Sequence, residues 1–500
     1  MIDKDATSFG AKLRSVFRID PMRICQPEST STNRESCRRL LVACVAIGTL
    51  TTSVAAQGTR TTDTYRRIKA ELNAVPAIDT HDHLFPFDRL PAREKTPDGE
   101  QVNLCSIWRN SYLPQLAKIT PWKSEVPFAD WWKEARDDFD NVRSASYYRY
   151  TAIAIRDLYG IDFDTITDEQ AAELNQRIVA NYRDPKWLYE AVTERANIEL
   201  MFNDPYWDRY GFKISYPWEV LVFNVTPLVR GFHPSEFPSD ADSPYVFAKN
   251  HGLAIESLDD YLKVLEAMFL EATDRGAVCL KTTLAYQRTL FFDNVPKDRA
   301  AAAFGQRGAM LTAAQIKDFE DFIMWRLCEF SAKYQLPFQI HTGHGRILDA
   351  GSNPMNLVNL IDANNKTKFI LFHGGYPWVG ETGIIVHRYS SRVWIDSVWL
   401  PMLSYSTAKR AFHEWLDTMP SSRIMWGADC NHAEGIYGAT ELNRQCIAEV
   451  LAEKVINGDL NEAQALRIGR QILRDNALEL FPQLKDRLWK HTGKRLTPAE

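Results

Sequence analysis

The sequence has little of what marks a redox, nucleotide-binding or membrane protein. It carries eight cysteines (Cys25, Cys37, Cys44, Cys105, Cys279, Cys328, Cys430 and Cys446) with no CxxC pair and no regular spacing, so neither a disulfide framework nor a thiolate zinc site is expected. No GxGxxG follows the first strand-like run, which argues against a doubly wound dinucleotide-binding sheet. Basic charge is not in excess: 59 Lys and Arg against 64 Asp and Glu give a formal net charge of -5. Nucleic acid is therefore not an expected partner. Beyond residue 56 no segment reaches about 18 uninterrupted apolar residues, the length a spanning helix needs, so the mature chain is not expected to insert stably in a membrane. Repeats and low-complexity tracts are missing too.

What the chain does have is bulk: 500 residues, 45% of them apolar, enough for a large core without covalent staples. Near the N-terminus, Arg38-Arg39 precede an apolar stretch, Leu40 to Leu50, and then the small residues Ser53-Val54-Ala55-Ala56. That order reads as a secretory signal, too short to span a bilayer. Residues 1–56 are thus expected to be an extension and signal, and the mature protein to be exported, to the periplasm or beyond. Residues 57–485 form the working domain and 486–500 a tail.

From residue 76 onward, short β-branched or aromatic runs alternate with amphipathic stretches, the pattern of repeated βα units. Eight runs stand out: Ala77 to Asp79, Ile198 to Phe202, Val220 to Val229, Ala277 to Lys281, Pro337 to His341, Lys368 to His373, Val393 to Ile395 and Ile424 to Gly427. Helical patterns lie between them at Leu258 to Ala272, Thr312 to Tyr334, Pro354 to Ala363, Gly383 to Tyr389, Ser406 to Met419 and Thr440 to Ile456, and Asn461 to Phe481 reads as a closing helix. The expected fold is α/β, a (β/α)8 TIM barrel. Residues 84–195 are too long for a loop, so a mostly helical insertion is expected after the first strand. Its aromatic clusters, Trp131-Trp132, Tyr147-Tyr148 and Tyr150, are expected to serve packing.

In such a barrel the chemistry sits at the C-terminal ends of the strands. The first strand ends Asp79-Thr80-His81-Asp82-His83, the fifth Gln339-Ile340-His341-Thr342-Gly343, the sixth Leu371-Phe372-His373, and the eighth Gly427-Ala428-Asp429. Histidines two apart on a strand point the same way and can share one ion. Imidazoles and a carboxylate without thiolates suit Zn²⁺, Mn²⁺ or Fe²⁺.

This order of HxH, His, His and Asp on strands one, five, six and eight resembles the amidohydrolase superfamily of metal-dependent hydrolases, decarboxylases and uronate isomerases, over about residues 60–485. Leu280-Lys281-Thr282 with Ala285-Tyr286, then Gln339 to Gly345 and His373 to Pro377, are most similar to amidohydrolase domains fused to glutamine-synthetase-like domains. Ile472 to Ala477 is similar to the family's closing helix. The resemblance implies His81, His83 and His341 as metal ligands, with Asp429 completing the site and taking a proton from the nucleophile. It implies His373 as an acid or base, or a group polarising a substrate oxygen.

Some members carry a carbamylated lysine on strand four that bridges two metals. Lys281 is read instead as pairing with a substrate anion or a carboxylate, so one divalent ion, Zn²⁺ first, is expected rather than two. Arg346 stands five residues after His341, a spacing similar to that of the substrate arginine of uronate isomerases, and is a second substrate-binding candidate. Gln287 between Tyr286 and Arg288 departs from the fused-domain pattern and leaves Arg288 in doubt as a ligand, while His344 and His432 are assigned no metal role.

The leading expectation is hydrolysis of an amide or other carbon-nitrogen bond in a small molecule by metal-activated water. The alternatives are non-oxidative decarboxylation of an aromatic acid and uronate isomerase-like isomerisation of a sugar acid. The oligomeric state is left open.

Overall fold

Alternation of residues along eight short strands builds the centre of the molecule. The computed structural model describes residues 58–91, 93–345 and 350–490, all within one compact unit, Gly58–Glu500. The expected signal, Arg346 and the end of the tail lie outside the described residues.

The strands are β1 (Ala77–Asp82), β2 (Ile198–Asn203), β3 (Glu219–Asn224), β4 (Cys279–Thr282), β5 (Phe338–Ile340), β6 (Phe369–Leu371), β7 (Val393–Asp396) and β8 (Ile424–Met425). They form one eight-stranded sheet in sequence order, every neighbouring pair parallel. The ring closes between β8 and β1, where the Thr80 amide donates to the Trp426 carbonyl at 3.2 Å and the His83 amide to the Cys430 carbonyl at 2.9 Å. The expected (β/α)8 barrel is therefore present.

Successive strand residues face opposite ways. Ile78, Leu200, Phe202, Val220, Val222 and Ile370 belong to one buried cluster, whereas Ala77, Met201, Leu221, Phe223, Phe369 and Leu371 belong to the larger one shared with the helices. The first cluster also takes in Ala477, Leu480, Phe481 and Leu484 of the closing segment, and the Phe481 ring lies 5.0 Å from that of Phe202. Close by, Arg474 is ion-paired to Glu199 with both side chains buried. The closing helices thus cover the N-terminal mouth and leave the opposite mouth for chemistry.

Several strands are shorter than their apolar runs, and two of them for clear backbone reasons. The third was expected to reach Val229, but Pro227, which has no amide to give a ladder, opens a 3-10 turn at Pro227–Arg230. The sixth stops at Leu371, because His373 and Gly374 take φ of 62° and 57°. Helix Ala433–Ile456 starts seven residues before the expected Thr440. Between β2 and β3 no helix forms, and residues 204–218 return along the barrel as a loop with bends.

The insertion is mostly helical, as expected, with helices Leu104–Asn110, Phe128–Ala135, Ser146–Tyr159 and Asp168–Asn181. It also holds an antiparallel hairpin, Glu94–Thr96 with Gly99–Gln101. Trp131 and Trp132 are buried against Trp108 with ring centroids at 5.7 and 5.8 Å, a packing role. Helix Ser146–Tyr159 packs on helix Ala433–Ile456, whose Glu434 carboxylate accepts the hydroxyls of Tyr159 and Tyr182, both at 2.6 Å.

The crossing of these helices depends on Gly438, since a Cβ there would stand 2.2 Å from the Tyr150 carbonyl oxygen. Gly438→Ala is expected to force the helices apart and cost about 1–3 kcal/mol, read as a lower melting temperature in thermal denaturation. An unchanged melt would contradict this packing. Among the described residues, no helix is long and apolar enough to cross a membrane.

Candidate metal centre

Backbone bonds across the barrel seam bring the first and last strand ends together. The Asp429 amide donates to the His81 carbonyl at 2.9 Å. The Asp79 carboxylate accepts the Ala428 amide at 3.2 Å, and the Asp82 carboxylate accepts the Cys430 amide at 2.5 Å. HxH and Asp429 are thereby held in register. Asp429, His373 and Trp399 all have left-handed backbones, with φ of 61°, 62° and 64°. Three such residues at neighbouring strand ends are strain that the surrounding fold must hold in place. Part of that hold comes from the insertion, where the Tyr112 hydroxyl donates to the Asp429 carbonyl at 2.5 Å. Tyr112 is stacked on Tyr147, so one of the aromatic clusters read as packing also braces the site.

His81, His83, Lys281, His341, His373 and Asp429 line a single cavity of about 200 Å³ at this end of the barrel. Asp429 Oδ1 lies 3.3 Å from His83 Nε2 and 3.6 Å from His81 Nε2. His83 Nδ1 donates to the Asp204 backbone carbonyl at 2.9 Å, and its Nε2 faces the Asp429 carboxylate, whose negative charge and hydrogen bond act to raise the ring's pKa against its burial. His373 Nδ1 donates to the Val398 carbonyl at 3.1 Å, and its Nε2 meets His341 Nδ1 at 2.8 Å. The other nitrogen of His341 lies 2.8 Å from the His344 carbonyl. Both nitrogens of His341 thus have protein neighbours, and the ring must turn from one of them to face the His81, His83 and Asp429 group.

Asp204, which the strand-end pattern did not single out, joins this group: ligand atoms of His81, His83 and Asp204 all lie within 4.8 Å of one another. Its carboxylate accepts both bonds from the Asn224 amide, at 2.9 and 3.1 Å.

The electrostatics suit a cation. Burial drives the pKa of His81 and His341 well below the ordinary value, with further lowering from the Lys281 charge, so both rings are neutral at pH 7, the form that ligates. Burial takes His373 down to about 3. For Asp429 burial acts upward, but the hydrogen bond from His83 and the nearby His81 and His373 outweigh it and hold the carboxyl well below its usual range. The carboxylate is therefore ionised at neutral pH. Buried His81 Nδ1 has no hydrogen-bond partner. Imidazoles around a buried carboxylate, with His81 and His341 neutral and no thiolate, fit a divalent ion of the Zn²⁺, Mn²⁺ or Fe²⁺ kind.

Lys281 Nζ lies 3.4 Å from His81 Nε2 and 3.6 Å from the centre of the Phe372 ring. Burial lowers its pKa to about 8 against the opposing charges of Asp429, Asp204 and Asp396. The arginine that the structure brings to this cavity is Arg209, whose Nη1 pairs with Asp242 at 2.5 Å and whose buried Nε has no partner. Arg346 lies outside the described residues. Arg288 turns elsewhere, pairing with Glu320 at 2.7 Å and Asp321 at 2.5 Å. His432 is buried beside Asn431 and does not line the cavity.

Comparison with known proteins gives two kinds of likeness. Residues 268–483 match the family described as amidohydrolase. Protein fluG of Emericella nidulans is 32% identical over 217 residues, which are 41% of this chain and 25% of that protein, so the chain spans about a quarter of that relative's length. A uronate isomerase from Thermotoga maritima superposes with a TM-score of 0.66 at 14% identity, over 84% of this chain and 97% of the other. A Lactobacillus casei structure described as a metal-dependent hydrolase superposes with a TM-score of 0.58 at 17% identity, over 84% and 98%. At those identities the two structures show a shared fold and nothing more.

Proposed function

We propose that the protein, whose residues 268–483 match the amidohydrolase family and whose strands form a (β/α)8 barrel, is a metal-dependent hydrolase cleaving an amide or other carbon-nitrogen bond of a small molecule. The observation that carries the reading is Asp429, an ionised carboxylate buried 3.3 Å from His83 and 3.6 Å from His81. His81, His83 and Asp429 would hold the ion, with Asp204 and His341 beside them. When bound, a divalent ion supplies Lewis acidity, polarising the carbonyl and making water acidic enough to react near neutral pH.

The chain's own residues do the rest. Asp429 accepts a proton from the attacking water at a carboxylate oxygen as the new carbon-oxygen bond forms. It returns that proton to the departing nitrogen as the carbon-nitrogen bond breaks. Lys281 and Arg209 place positive charge where a substrate oxygen or carboxylate would lie. His373, neutral and fixed by the Val398 carbonyl, keeps His341 in place. The apolar stretch at residues 40–50 adds the expectation of export, which fits an enzyme that breaks down incoming material.

The test is to purify the mature chain, measure its bound metal, and offer it N-acyl and γ-glutamyl amides, aromatic acids and uronates. Amide cleavage that stops on chelation and returns with Zn²⁺, Mn²⁺ or Fe²⁺ is expected. Carbon dioxide release from the acids, or aldose-ketose exchange of the uronates, without amide cleavage would replace this reading with decarboxylation or isomerisation.

A further inference from the structure

A second cavity, larger than the metal-facing one, lies beside it. It measures about 430 Å³, within the range of small-molecule sites. It lies where residues 204–218 stand in place of the helix that would follow β2. Its walls are aromatic: Trp207 is stacked on Phe85 with centroids 3.8 Å apart at 24°, and Tyr216 on Trp218 at 4.8 Å and 12°. Four prolines, Pro86, Pro185, Pro205 and Pro217, also line it and limit how far the walls can move.

Its charged lining is balanced, Asp88 and Asp208 against Arg89 and Lys213, so it offers no net attraction to an ion. Trp218 is 2% exposed and its indole N–H has no hydrogen-bond partner.

One stretch of chain separates the two cavities. Asp204, Tyr206 and Arg209 line the metal-facing side, and Pro205, Trp207 and Asp208 line the aromatic side. Rings run in steps from one to the other: His83 to Tyr206 at 5.2 Å, Tyr206 to Phe85 at 5.6 Å, and Phe85 to Trp207 at 3.8 Å. Tyr206 is 40% exposed and Ile214, on the aromatic side, 44%. Apolar surface left in solvent around a cavity is a mark of ligand contact.

We propose that the aromatic cavity binds a neutral, planar aromatic group, and that this group is the distal part of the substrate whose reacting bond lies at the metal centre. Stacking on Trp207 would provide the recognition. As a ligand site the cavity stands on its own geometry; as half of the substrate site it rests on the hydrolase reading.

2-Naphthamide is a suitable probe, with binding measured by calorimetry and saturation-transfer NMR on the full chain. Trp207→Ala is expected to weaken binding at least tenfold. His81→Ala with His83→Ala should leave binding intact. Melting temperatures, and Trp207→Phe as a milder change that keeps partial affinity, separate loss of the site from loss of fold. Absence of binding, unaltered affinity in Trp207→Ala, or loss in the double histidine variant would overturn the assignment. The substrate role is read by KM: Trp207→Ala should raise it at least tenfold more for aromatic amides than for aliphatic ones. Equal effects on both would refute that role. If no amide is cleaved at all, the hydrolase reading fails while the naphthamide result still decides the cavity.

Discussion

Replacing His81 and His83 together by alanine is expected to remove the bound metal and reduce turnover to background. The two rings approach Asp429 from one strand end, at 3.6 and 3.3 Å, and their loss leaves Asp429 and Asp204 without the two imidazoles between them, too few ligands to hold a divalent ion in competition with water. The fold should survive, because β1 is held by its backbone bonds to β2 and by the seam bonds to Trp426 and Cys430, none of which uses an imidazole. Metal content by mass spectrometry, turnover and the far-UV spectrum are measured on the same sample. Metal retained at the level of the unaltered protein would place the ion elsewhere.

Asp429→Asn separates holding the ion from moving the proton. The amide keeps the shape and one oxygen for coordination but cannot take a proton from water. Substantial metal should therefore remain while the chemical step falls by about 10²-fold or more. The Tyr112 bond goes to the Asp429 backbone carbonyl, so the substitution leaves that brace in place. Near-normal turnover at full metal occupancy would remove Asp429 as the base, and His373, whose Nδ1 lies 4.0 Å from Asp429 Oδ2, would be the next to test.

The barrel was legible because each strand carries its own short apolar run, and strand ends that turn polar mark the mouth where side chains converge. The same local signal located HxH, His373 and Asp429, all of which line one cavity. What lay beyond it depends on contacts distant in sequence. Asp204 precedes Pro205, and an Asp-Pro pair at a strand end reads as an ordinary turn. Its nearness to His81 and His83 comes from the pairing of β1 with β2 across the whole insertion. Arg209 follows in the same loop, with nothing local to prefer it over Arg346. Tyr112 reaches Asp429 from 317 residues away. His341 had the right strand and position, but ring orientation is decided by neighbours, here His373 and the His344 carbonyl. The hairpin at Glu94–Gln101 is too short for its period to show, although Asp98-Gly99 is a turn signal in its own right.

The most direct test of the account is anomalous diffraction from crystals of the metal-loaded protein, recorded at the absorption edge of the ion found in solution. The account predicts one strong peak in the cavity at the C-terminal mouth of the barrel, with His81, His83 and Asp429 atoms about 2.0–2.2 Å from it. A peak bound by other residues, or metal-loaded crystals with no peak there, would contradict it.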